Sequence, residues 1–186
     1  MHNRKILIIG EVYVDQHLDI IENGYSTSRL GGIFHAARSC DALNIEYALA
    51  YYAPDYLVKD VEKFGIDVLR ASSIFRLGKV DKAPNVMLIG QSDESGNQLY
   101  ENILGRQAEY VSMLPFMQVL DDFDPTDIII FPGRYGNAGI LSNLSNYEGK
   151  IHIDMNYDCD DILDLDTIKI QTVFSVSYTH LTLPTI

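Results

Sequence analysis

Residues Lys5–Gly10 read KILIIG, and the rest of the chain can be organised around them. A continuous apolar run closed by glycine is the pattern of a strand buried on both faces of a parallel sheet, whereas a half-exposed strand alternates. The pattern returns at Asp127–Gly133, DIIIFPG. A third strand is read at Lys150–Asn156, KIHIDMN, with Ile151, Ile153 and Met155 opposed to Lys150, His152 and Asp154. Helical spacing places Ile33, Ala36, Ala37, Cys40 and Leu43 on one stripe of a helix over Gly32–Asn44. It does the same for Tyr56, Leu57, Val61 and Phe64 over Pro54–Phe64. Weaker helical patterns cover Asn137–Asn146 and Asp160–Asp166. Strands alternating with helices predict βαβ units, hence an α/β fold with a doubly wound, mostly parallel sheet and helices on both faces.

Two regions break that rhythm. Val12–Ile21 alternates, with Val12, Val14, Leu18 and Ile20 on one side and Tyr13, Asp15, His17 and Asp19 on the other, as in a half-exposed antiparallel strand. In Asn85–Leu104, two apolar segments flank the turn Asp93–Gly96, DESG, which reads as a hairpin. Together they predict a small β-sheet projecting from the main one, a flap able to cover a site.

Composition narrows the classes of function. The 186 residues suffice for one main domain with a core. A formal net charge of −12 disfavours nucleic acid and anionic membrane surfaces as partners. Cys40 and Cys159 have neither metal-ligand spacing nor the density of a disulfide scaffold, and the N-terminal apolar run is too short for a signal core or a membrane span. A cytoplasmic location is the expectation. The chain contains no G-x-G-x-x-G after its first strand, no G-x-x-x-x-G-K-[ST] and no H-E-x-x-H.

In open α/β sheets ligands bind beyond the carboxyl ends of the strands. That rule selects Gly10, Glu11, Pro132, Gly133, Arg134, Asp154 and Asn156. The Gly31-Gly32 pair opens its helix at the same rim, with free N–H groups expected to point outward. Asp15 follows the first strand closely, and a carboxylate can accept from two hydroxyls of a polyol at once. It equally fits a solvated carboxylate on an exposed strand. His35, in the first helical turn and away from the apolar stripe, faces either a ligand or solvent. The glycines fit an ordinary strand-to-helix turn as well as a close approach by a ligand. Asp154 fits a loop cap as well as a site. The acidic run Asp158–Asp166 lacks the central glycine and closing glutamate of a calcium loop and reads as a solvated helix.

The order of these pieces resembles the N-terminal part of the ribokinase-like, or PfkB-type, carbohydrate kinases. The matching segments are ILIIGEVYVD ending at Asp15, RLGGIFHAARSCDALN, a strand and helix over Tyr47–Phe64, GIDV at Gly65–Val68, the hairpin around DESGNQLYE, DIIIFPG and IHIDMNYD. The resemblance covers nearly all of Lys5–Ser175. It implies a three-layer Rossmann-like domain over residues 1–175 whose lid strands fall at about 12–26 and 78–104, with the C-terminal part missing. It further implies sugar contacts from Asp15, Gly31 and Gly32, with His35 standing about where the family has asparagine. Asp154 and Asn156 are implied as supporting residues of the cleft. The activity implied is ATP- and Mg2+-dependent phosphorylation of a sugar hydroxyl by the intact protein. The catalytic aspartate and nucleotide pocket lie beyond this chain in the family, so the fragment itself is expected to be inactive. A homodimer through the lid is a further expectation, and a non-catalytic sugar-sensing or interaction domain of the same fold is the alternative. Residues 176–186, VSYTHLTLPTI, resemble a translated sequencing adapter and are expected to be non-native.

Overall fold

A computed structural model describes residues 4–17, 27–92, 98–103, 108–131, 140, 143–155 and 169–175. The predicted central strand is β1, Lys5–Glu11, with every residue after Lys5 buried. On one side it pairs in parallel with β4, Glu46–Ala53, and on the other with β9, Asp127–Ile130. Beyond β9 lie β10, Lys150–Met155, and β11, Ile170–Ser175, both parallel. Beyond β4 lie β5, Ser73–Asp81, parallel, and β8, Glu109–Ser112, antiparallel. The main sheet therefore runs β11-β10-β9-β1-β4-β5-β8.

Alternate residues of β1 feed two cores, as a strand covered on both faces requires. Leu7 and Ile9 pack with Phe116, Val119 and Phe123 of α3, Phe116–Phe123. Ile6 and Ile8 pack with Phe34, Ala37 and Cys40 of α1, Phe34–Ala42, and with Val61 of α2, Val58–Lys63. The predicted three-layer arrangement is present. Of the predicted α1 stripe, Leu43 is 70% exposed because the helix has ended, and Asn44 takes a left-handed φ of 52° after it. The helix predicted over Pro54–Phe64 begins as a 3-10 turn at Asp55–Leu57 and runs through α2 into a π-helical turn at Phe64–Val68, leaving Tyr56 exposed.

A second sheet, β3-β2-β6-β7, consists of β2, Val14–His17; β3, Thr27–Leu30; β6, Val86–Ser92; and β7, Gln98–Ile103. Three expectations need correction. Residues 78–81 are the end of β5 in the main sheet, so the second half of the small sheet begins only at Val86. Strand β2 is antiparallel to β3 but parallel to β6. The face of β2 read as polar and exposed carries Asp15, which is buried because it packs on the Gly31 backbone. The turn at 93–96, residues 18–21, 132–134 and 160–166, Asn156 and the tail 176–186 lie outside the described residues, as does half of 137–146.

Candidate functional site

The chain crosses between the two sheets at the carboxyl end of β1, and Asp15, Gly31, Gly32 and His35 converge there. Asp15 on β2 lies directly opposite Arg29 on β3. Its side chain is nearly enclosed, with His35 Nε2 3.1 Å and Arg29 Nε 3.6 Å from Oδ2. Oδ2 still makes no hydrogen bond of good geometry among the described residues. His17, two residues along the same strand, has an Nε2 in the same condition. Buried polar atoms are ordinarily satisfied, so acceptor capacity held in reserve beside a guanidinium and an imidazole suits a polar ligand.

The glycines explain how the carboxylate fits. A Cβ on Gly31 would overlap the Asp15 carboxylate. Gly32 has φ +61°, and a Cβ there would collide with the Glu11 carbonyl oxygen. Both positions admit the rest of the chain before any ligand. The expected free N–H groups are partly committed, since Gly31 N–H donates to Tyr13 O at 2.8 Å and Ile33 N–H to Glu11 O at 3.1 Å.

Just below this pair sits a polar group that periodicity did not single out. Glu11 is 5% exposed; its carboxylate accepts from Tyr110 OH at 2.8 Å and from Asn85 Nδ2 at 3.1 Å. Asn85, 2% exposed and with a left-handed φ of 49°, also donates Nδ2 to Val12 O and accepts from Val14 N–H. Glu11 was picked out only as a residue of the strand-end rim. Asn85 and Tyr110 gave no signal because their partners lie far away in sequence. Arg29 was missed because β3 was not recognised, and its register with Asp15 follows only from that strand.

Asp154 stands on β10 at the same rim, two strand spacings or about 10 Å from β1. Burial pushes its carboxyl above the usual carboxylate range, and among the described residues nothing bonds to it. The structure thus joins Asp15, Gly31, Gly32 and His35 in one cluster and leaves Asp154 apart from it. A separate concavity of about 420 Å³ is lined by Val14, Leu30, Arg38, Lys63 and Phe64, not by the Asp15 carboxylate. Arg38 donates there to Phe34 O and Leu30 O and lies 5.5 Å over the Phe64 ring, so its donors serve to fix β3 to α1. The unspent acceptor of Asp15 lies outside that concavity.

No protein-family model and no curated protein matches the chain. Solved structures do. A ribokinase from Giardia lamblia is similar at 16% identity with a TM-score of 0.60, over 89% of this chain and 54% of its own. An ATP-bound fructokinase from Xylella fastidiosa is similar at 10% identity and TM-score 0.58, over 84% and 53%. A microbiome-derived acarbose kinase is similar at 12% identity and TM-score 0.56, over 93% and 61%. The chain spans about half the length of the solved structures it matches. With two cores about one mostly parallel sheet, a second sheet at its strand ends and these neighbours, the chain has the fold of the ribokinase-type carbohydrate kinases.

Proposed function

We propose that this chain is the sugar-binding portion of an ATP-dependent carbohydrate kinase. The observation that carries the reading is Asp15: a buried carboxylate with an unspent acceptor, seated on glycine at the mouth between two sheets. Its oxygens would accept two neighbouring hydroxyls of a sugar, while His35 and Arg29 hold the carboxylate in orientation. The small sheet would serve as the lid that excludes water. Asp154, kept at a cost in burial on the same rim, is assigned to the far side of the cleft together with Asn156. ATP and Mg2+ belong to the intact protein in this reading. Among the described residues no group of three or more His, Cys, Asp or Glu is placed to hold a metal ion.

The reading is tested by calorimetric titration of the chain with a panel of aldoses, ketoses and polyols. One of them should bind, and Asp15→Ala should abolish the heat. Binding that survives in Asp15→Ala, or no binding across the panel, would overturn it. The chain alone should not consume ATP. If the intact protein binds a sugar and still consumes none, the reading of a sugar-sensing domain replaces that of a kinase.

A further inference from the structure

The main sheet and the small sheet are joined by four crossings of the chain, because the chain visits the small sheet twice. The crossings follow β1, β3, β5 and β7. Glu11 meets the first three and bonds to the strand that follows the fourth. It is the last residue of β1, and Val12 begins the first crossing. Its carbonyl oxygen packs against Gly32 and accepts from Ile33 N–H, in the second. One carboxylate oxygen accepts from Asn85, the final residue of the third, and the other from Tyr110, just after the fourth. Asn85 extends the group by bonding Val12 O and receiving Val14 N–H, so both roots of the small sheet are tied to one buried side chain.

We propose that Glu11 is the positioning residue of the hinge. It fixes the angle at which the small sheet, and with it Asp15, stands over the main sheet, and it does so whatever the cleft binds. A buried carboxylate accepting from two neutral donors is a costly means of filling a core position. Here the cost falls where two rigid layers must keep one register. A carboxylate reaches two donors on opposite sides, which no apolar side chain of its size can do.

The test is amide hydrogen exchange of the full chain, comparing the unmodified protein with Glu11→Ala, Glu11→Gln and Tyr110→Phe, and using Asp127→Asn at the opposite end of the sheet as a reference for general loosening. In Glu11→Ala the amides of Val14, Gly31 and Ile33 should exchange at least ~10-fold faster while those of Ile8 and Leu49 keep their protection. Glutamine can accept from Asn85 and donate to the Tyr110 oxygen, so Glu11→Gln should restore most of that protection. Should Glu11→Ala fail to fold, Tyr110→Phe decides the matter, with a smaller acceleration at the same three amides. The proposal is overturned by unchanged exchange at those amides, by acceleration spread through β1 and β4 as in Asp127→Asn, or by a glutamine variant as open as the alanine one.

Discussion

Substituting asparagine for Asp15 preserves shape but removes the charge, and it separates the two demands placed on that residue. Losing a charge-assisted hydrogen bond is worth about 1.5–3 kcal/mol, so sugar binding read by calorimetry should weaken about 10- to 100-fold. The melting temperature should hold or rise, because Oδ2 lacks a good hydrogen bond in the fold itself. Gly31→Ala should impair both, since its methyl group overlaps the carboxylate, at about 1–3 kcal/mol of stability read by urea unfolding. Asp154 obeys the opposite rule to most carboxylates. Burial raises its folded pKa, so the folded state holds its proton longer than the unfolded chain, and stability is lost as pH rises through the ordinary carboxylate value toward the raised one. Asp154→Asn should therefore raise the melting temperature at pH 7 and change it little at pH 3. At this scale the sequence was legible where chemistry is local, as in Asp15 with Gly31-Gly32. It was silent where the partner is remote, as with Arg29, Asn85 and Tyr110.

Among the elements, β9 begins on a group that ties the amino end of the sheet together. Asp127 is buried, which alone would raise its pKa, yet hydrogen bonds from Thr126, Arg4 and His152 outweigh burial and hold it below the usual carboxylate range. A depressed folded pKa contributes stability above the unfolded value, near 4, and that contribution is lost as pH falls through the folded one. Asp127→Asn should cost about 1–3 kcal/mol at pH 7 and flatten the acid limb of the stability profile. Strands β1 and β9 were legible because both faces are covered and the apolar run is unbroken, and β10 because its apolar and polar residues alternate. Strand β5, SIFRLGKVD, hides its character because Arg76 and Lys79 reach out to Asp55 in an ion-pair group. Helix α3 is short, with a proline before it and Asp124 in a left-handed conformation after it, too brief to establish a period.

The molecule as a whole presents β11 as an outer strand of the main sheet among the described residues, with Val173 about half exposed. An open apolar strand edge recruits other strands. Light scattering after gel filtration should show self-association that grows with concentration, and Val173→Lys should reduce it; a strictly monomeric chain at all concentrations would contradict this. The topology also governs how the molecule comes together. Val14 on β2 and Val86 on β6 lie side by side, although about 70 residues of chain separate them. Bringing such distant segments into parallel pairing costs loop-closure entropy that nearby contacts do not repay until β1, β4 and β5 have already assembled. Pairing of β2 with β6 should therefore follow the pairing of β1, β4 and β5, an order that pulsed hydrogen exchange would read as later protection of Val14 than of Leu49.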